Sequence, residues 1–169
     1  INAFIPIFWT RELGTSPEQG SFALTVFFSI GIFMTYIGGL LGDKYGPIKI
    51  IRLSLLVWLP AMFLLTEVPT FSPLIMMPVA YLLLLMIGAA KAISYSPVIV
   101  LGQTYLAKSI GFASGITLGV SQTIGGVIAP VVGNLADTYS LPIAMMTLVP
   151  FLVMGLGASL ILKDPKKLQ

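Results

Sequence analysis

The stretch GGLLGDKYGPIK at residues 38–49 closes one long apolar segment and opens another. Gly38, Gly39 and Gly42 precede its charged residues at a spacing that lets a second helix pack closely in lipid. The stretch therefore predicts an apolar helix that ends against a close neighbour, followed by a second apolar helix.

The charged part of this stretch predicts a tight polar turn made by Asp43, Lys44 and Gly46. Asp43 is expected to accept hydrogen bonds from backbone N–H groups at a nearby helix start, where the helix dipole favours an anion. Gly46 allows a turn conformation that a side chain would oppose. The alternative is an ordinary loop whose lysine only orients the chain in a membrane.

The composition places these helices in a lipid bilayer. Of 169 residues, 57% are hydrophobic and only 9% are charged, whereas soluble domains carry about a quarter charged residues. Cysteine and histidine are both absent from the sequence, so we expect no metal, no cofactor and no thiol catalysis. The basic residues are dispersed rather than clustered, which argues against nucleic acid as a partner.

Apolar runs predict five membrane spans, because a hydrocarbon core of about 30 Å needs about 20 residues per helix. The predicted spans are residues 21–42, 50–67, 74–106, 110–134 and 141–162. A further apolar run, residues 1–9, is too short to cross and is interpreted as the end of a helix that begins earlier. We therefore expect the chain to be a fragment of a longer protein.

The connecting segments predict the orientation of a multi-pass protein in the cell membrane. One side carries most of the basic residues, namely Lys44, Lys49, Arg52, Lys108, Lys163, Lys166 and Lys167. The other side carries Arg11 with four acids, Glu12, Glu18, Glu67 and Asp137. The positive-inside rule predicts that the side with Lys44, Lys108 and Lys166 is cytoplasmic.

Two short segments indicate an internal repeat. GLLGDKYG at residues 39–46 and GNLADTYS at residues 133–140 share Gly, Leu, Asp and Tyr in register. Each closes a predicted helix, and the two copies fall on opposite sides of the membrane. This pattern is typical of the inverted three-helix repeats of secondary transporters, although Gly and Asp are also common at unrelated helix ends.

The spacing of Gly39, Asp43, Lys44 and Gly46 resembles the major facilitator superfamily loop signature G-x-x-x-D-[RK]-x-G-[RK]-[RK], found between the second and third helices of each six-helix half. After Gly46 the sequence departs from the signature and continues Pro-Ile-Lys. Residues 96–137 are similar to the fosmidomycin-resistance-type facilitators, which typically run V-V-x-G-Q-E-Y-L-P, G-x-A-S-G-x-T-L-G, G-G and L-A-D.

The resemblance implies an all-α transmembrane bundle, the C-terminal half of a twelve-helix fold whose N-terminal six-helix half is a missing partner. Thr104 stands where the resembled family commonly has an acid, and Ala107 where it has a proline. The first difference removes a possible charge partner at this turn.

Lys91 lies near the middle of the predicted span 74–106, where a lysine side chain reaches the bilayer surface poorly. Ser94 and Tyr95 share its helix face. Pro97 leaves a carbonyl group without its helical donor and predicts a local break in the helix. We expect Lys91, Ser94 and Tyr95 to face a substrate cavity. The alternative is that Lys91 pairs with a carboxylate of the missing half.

Two other spans supply further candidates. Thr25, Ser29 and Tyr36 fall on one helix face and are expected either to line the cavity or to bond a neighbouring helix. Gln122 is expected either to face the cavity or to pack between helices.

Three glycines at four-residue spacing in span 110–134, Gly111, Gly115 and Gly119, predict a surface for close helix packing.

The resemblance and the central lysine together predict a secondary transporter that works by alternating access. The expected activity is proton-coupled export of a small drug-like or anionic substrate, because a cation in the cavity favours an anion. The alternative within this class is uptake of a small organic or inorganic anion. A membrane module without transport activity is the alternative of another class, and the lack of Ser/His or Asp/Asp pairs argues against an enzyme.

Overall fold

The computed structural model describes residues 1–162, which form helices and turns without a β-strand. The helices are α1 (Ile5–Arg11), α2 (Pro17–Tyr45), α3 (Pro47–Glu67), α4 (Pro73–Tyr105), α5 (Ile110–Thr138), α6 (Leu141–Met146) and α7 (Val149–Ile161). Five spans are long and apolar enough to cross a bilayer, the last of them formed by α6 and α7 together. Lys163, Lys166 and Lys167 of the predicted basic side lie outside the described residues.

The turn after α2 is shorter than the sequence predicts. Asp43 and Lys44 remain helical, and α2 ends only at Tyr45. Gly46, with a φ of 95°, makes the turn alone, because glycine adopts this backbone conformation without steric strain. Pro47 then begins α3 directly. The predicted tight turn at Asp43 and Lys44 is therefore wrong, and both residues belong to the last turn of α2.

α4 lies between α2 and α3 and packs closely on α2 through the glycines near the end of α2. A Cβ atom at Gly38 would overlap the carbonyl group of Ile93. A Cβ at Gly42 would lie 3.1 Å from Cγ of Pro97, which is buried. The close helix contact expected at these glycines is present, and it is made with α4.

Pro97 does not interrupt α4, which is continuous from Pro73 to Tyr105. The predicted local break is therefore wrong. The proline ring packs on Gly42, and Gly38 covers the Ile93 carbonyl that lacks its helical donor. The contact with α2 thus compensates for the missing hydrogen bond to the Ile93 carbonyl, and α4 stays continuous.

The last predicted span, residues 141–162, is not one helix but two, α6 and α7. Pro150 lies in the first turn of α7 and has no N–H to continue the hydrogen-bond pattern of α6. Thr147 closes α6 instead, with its hydroxyl donating to the Ala144 carbonyl at 2.6 Å. The predicted span is present, and it consists of two helices with a turn at residues 147–148.

The main apolar core joins α1, α3, α4 and α6. Its fully buried members include Trp9 of α1, Met62 of α3, Leu84 of α4 and Met145 of α6. This core also contains Ala23 and Phe27 of α2, the helix against which the α1 segment, predicted to be the end of a helix, packs.

The two copies of the internal repeat lie at opposite ends of the bundle. The first copy ends α2, beside Pro97 in the last third of α4. The second copy ends α5, where Asp137 forms an ion pair of 3.1 Å with Arg11 at the end of α1. Because the end of α1 leads directly to the start of α2, the copies have opposite directions, as an inverted repeat requires.

Candidate functional site

Lys91 occupies the centre of α4 and is half-buried. Its Nζ donates a hydrogen bond of 2.8 Å to Oδ1 of Asn2, in the turn before α1. The same Nζ lies 5.4 Å from the ring centroid of Phe27 on α2, within the range of a cation–π interaction. The lysine is therefore held by a neutral amide and an aromatic ring.

A cavity of about 250 Å³ lies between α2 and α4 at Lys91. Helix α2 lines it with Phe27, Phe28, Gly31 and Thr35, and α4 lines it with Gly88, Lys91, Ala92 and Tyr95. Lys91 and Tyr95, both predicted to face a cavity, line this one, and their role in substrate binding stays a prediction.

Small residues set the separation of the two helices at this cavity. A Cβ at Gly88 would lie 2.9 Å from the Ile30 side chain, so α4 approaches α2 closely there. A Cβ at Gly31 would lie 3.9 Å from Cβ of Ala92, which leaves ordinary space. The cavity is thus lined by small residues, Gly31, Gly88 and Ala92, and by the aromatic rings of Phe27, Phe28 and Tyr95.

The hydroxyl groups near Lys91 differ in what they offer a ligand. Ser94 donates to the Lys91 carbonyl at 2.9 Å, so its hydroxyl bonds its own helix, and it does not line the cavity. Thr35 donates to the Gly31 carbonyl at 2.8 Å. Tyr95 is 49% exposed and lines the cavity. Lys91 and Tyr95 are thus the principal polar groups facing the space.

The polar face predicted on α2 lies away from this cavity. Thr25, Ser29 and Tyr36 are exposed, and the Thr25 hydroxyl donates to the Ser21 carbonyl at 3.1 Å. Thr35, which the sequence reasoning missed, lines the cavity instead. Successive helical residues point about 100° apart, so Tyr36 and Thr35 face different directions, and the roles predicted for Thr25, Ser29 and Tyr36 stay predictions.

Helix α5 carries candidates that meet no other described helix. Gln122 is exposed, and a Cβ at Gly111, Gly115 or Gly119 would find no atom within 4 Å. Gly115 and Gly119 border a surface hollow of about 460 Å³. Within residues 1–162 these glycines pack against no neighbour, so the close packing predicted for them stays a prediction.

The start of α5 is joined to the end of α4 by two contacts that the sequence reasoning missed. Gln103 donates a hydrogen bond of 2.8 Å to the hydroxyl of Ser114. A Cβ at Gly102 would lie 2.6 Å from the Thr117 hydroxyl oxygen. Small and polar residues of this kind stabilise helix pairs in lipid. Ser114 and Thr117 are three residues apart on α5, and this spacing could have indicated the contact with α4.

Arg52 closes the end of the last span. Its guanidinium donates to the carbonyl of Ser159 through Nε at 3.0 Å and through Nη2 at 2.5 Å. Further bonds of 3.4 and 3.3 Å reach the carbonyls of Leu160 and Leu162. A cation at the carbonyl end of a helix is favourable both for hydrogen bonding and for the helix dipole.

Among residues 1–162, no group of three or more potential metal ligands lies together. The site around Lys91 is therefore described by its cation, its aromatic rings and its hydroxyl groups.

Comparisons with known proteins agree with this architecture. The family model described as Major Facilitator Superfamily matches residues 1–168. An uncharacterized MFS-type transporter, YfnC of Bacillus subtilis (strain 168), is 31% identical over 151 residues, which cover 89% of this chain and 35% of that protein. The fosmidomycin resistance protein of Escherichia coli (strain K12) is 28% identical over 141 residues, 83% of this chain and 33% of that protein.

No solved structure matches the chain significantly. The chain spans about a third of the length of the curated relatives it matches. The family match covers nearly all of the sequence, and the described residues form an all-helical bundle with five apolar spans. The chain therefore belongs to the major facilitator superfamily.

Proposed function

We propose that the chain is the C-terminal half of a secondary transporter that exports a small drug-like or anionic compound in exchange for protons. Membership of a transporter family supports this proposal, as does the similarity to a protein named for resistance to an antibiotic. The second similarity also favours export over the alternative of anion uptake. The missing N-terminal half then completes the substrate pathway.

One observation carries the proposal for the substrate, namely Lys91 at the centre of a membrane span with a cavity beside it. A charged side chain deep in a membrane protein costs several kcal/mol unless a partner or an aqueous cavity compensates it. Asn2 accepts one hydrogen bond but carries no negative charge. An anion bound in the cavity would supply the missing charge in the transport cycle.

Proton coupling is assigned to the missing half. The described carboxylates lie in loops or in the first or last turn of a helix, namely Glu12, Glu18, Asp43, Glu67 and Asp137. A proton carrier for antiport needs an ionisable group within the membrane. Since residues 1–162 place no carboxylate there, the coupling acid of the proposed antiporter belongs to the other bundle.

The orientation and the loop motif belong to the same proposal. The ends that carry Lys44 and Lys108 face the cytoplasm of the cell membrane by the positive-inside rule. Gly39, Asp43, Lys44 and Gly46 stabilise one conformation of the transport cycle. Replacing Asp43 with Asn should therefore slow turnover while leaving substrate affinity nearly unchanged; an equal loss of affinity would assign Asp43 to the binding site instead.

The proposed function is tested with the full-length protein in liposomes. Flux of labelled anionic compounds is measured with and without an imposed pH gradient, for the native protein and for Lys91→Gln. We expect the gradient to drive flux and Lys91→Gln to reduce the flux of anions by at least about tenfold. Lys108→Gln, at an exposed lysine just before α5, is the matched control. Flux that ignores both the gradient and Lys91 would reject the proposal.

A further inference from the structure

We infer that the cavity at Lys91 binds monoanions that carry one aromatic or similarly flat apolar group, an inference that rests on the transport function proposed above. Among residues 1–162, Lys91 is the only charged residue that lines the cavity. One half-buried positive charge is matched by one negative charge, whereas a dianion leaves a second charge without a partner in the cavity. The charge balance therefore selects a single carboxylate or an equivalent monoanion.

The hydrogen bonds at Lys91 leave its positive charge available to a ligand. An ammonium group has three N–H donors, and the Asn2 amide oxygen accepts one of them. Asn2 is neutral, so it fixes the direction of the lysine side chain without forming an ion pair. A carboxylate with two oxygens is suited to the remaining donors.

Aromatic rings surround the position that the apolar part of the ligand would take. Phe27 and Phe28 line the cavity from α2, with their ring planes at 77° and their centroids 5.7 Å apart. Tyr95 lines it from α4. Aromatic side chains pack preferentially on flat apolar groups through stacked or edge-to-face contacts.

The size and the polarity of the cavity restrict the ligand further. A cavity of about 150 Å³ admits benzene, so the 250 Å³ found here accommodates a ring with a short acidic chain. Thr35 directs its hydroxyl hydrogen to the Gly31 carbonyl and thus away from a ligand. The lining therefore provides few hydrogen-bond donors for a sugar or a phosphonate.

Calorimetric binding to the full-length protein in lipid nanodiscs tests this substrate class with four probes. At pH 8.5 the probes are 3-phenylpropionate, its neutral amide, propionate without the ring, and phenylphosphonate, which is then a dianion. We expect 3-phenylpropionate to bind at least about tenfold more tightly than each of the others.

Three variants assign the selectivity to the residues named. Lys91→Gln should abolish the preference for 3-phenylpropionate over its amide. Phe28→Leu, at a side chain that is 51% exposed, should weaken 3-phenylpropionate about threefold to tenfold and leave propionate unchanged. Phe33→Leu makes the same change at an exposed position of α2 outside the cavity, and it should alter neither affinity.

The outcomes separate this inference from the proposed function. Tighter binding of phenylphosphonate, or no binding of any probe to the folded protein, would overturn the monoanion class, while pH-driven anion flux in liposomes would still support transport. Lys91-dependent binding of 3-phenylpropionate without flux of any anion would instead retain the substrate class and reject the transport function. Unchanged affinities in Lys91→Gln would place the binding site elsewhere.

Discussion

Gly38 of α2 lies directly on the carbonyl group of Ile93 of α4, so closely that a Cβ at position 38 would overlap the carbonyl oxygen. The helical donor to this carbonyl would be the N–H of residue 97, which proline lacks. A Cα–H of Gly38 points at the oxygen instead, a weak contact that recurs at helix interfaces. Because Gly38 has no side chain, α2 can approach the Ile93 carbonyl and compensate for the hydrogen-bond donor that Pro97 lacks.

Replacing Gly38 with Ala should lower the free energy of unfolding by about 1–3 kcal/mol, because the added methyl group forces α2 away from α4. The loss is expected although alanine favours helix by about 1 kcal/mol over glycine. Gly31→Ala is the control on the same helix, since its Cβ would meet Ala92 at 3.9 Å. Thermal unfolding of the full-length protein in detergent compares them, and equal melting temperatures would contradict the prediction.

Replacing Asn2 with Asp should weaken the binding of an anionic substrate by at least about tenfold, because a carboxylate 2.8 Å from Nζ neutralises the Lys91 charge. Asn2→Ser is the neutral control. Titration calorimetry with 3-phenylpropionate measures the affinity. Tighter binding by the Asp variant would show that Lys91 does not attract the anion.

Replacing Arg52 with Gln should destabilise the packing of α7 on α3 by about 1–3 kcal/mol, because the charged hydrogen bonds to the end of α7 are lost. Lys49→Gln removes a charge from an exposed position three residues earlier and should change stability by less than about 0.5 kcal/mol. Thermal unfolding of both variants is the measurement. Similar shifts would mean that net charge, and not the Arg52 contacts, stabilises this end.

A double-mutant cycle should detect the contact between Gln103 and Ser114. We expect a coupling energy of about 0.6 kcal/mol, a size measured for interhelical hydrogen bonds by such cycles in bacteriorhodopsin. Pairing Gln103→Ala with Ser121→Ala is the control, since the Ser121 hydroxyl donates to Leu118 of its own helix. Unfolding free energies of the single and double variants give both couplings, which should differ.

Much of the fold is predictable from the sequence because hydrocarbon leaves few options for an apolar chain. Prolines at positions 17, 47 and 73 begin helices, where their missing N–H costs nothing. Within α4, however, proline led to the wrong prediction of a local break. The effect of Pro97 depends on which atoms of α2 lie against it. Local sequence contains no information about that neighbour.

The candidate site was predictable only in part for a similar reason. A lysine in the middle of an apolar span is conspicuous, and Lys91 does border a cavity. The rotation of α2 around its own axis decides whether Thr35 or Tyr36 faces that cavity, and apolar residues on every side of the helix leave this rotation undetermined. The partner Asn2 is 89 residues away along the chain, so only the folded structure brings it to Lys91.

The ion pair between Arg11 and Asp137 connects the end of α1 to the end of α5 and contributes little free energy. Its side chains are 60% and 71% exposed, and exposed pairs contribute about 0–1 kcal/mol, comparable with the thermal energy of about 0.6 kcal/mol. The contribution of this ion pair therefore falls as the ionic strength of the surrounding solution rises, whereas the contact between Gly38 and the Ile93 carbonyl involves no net charge.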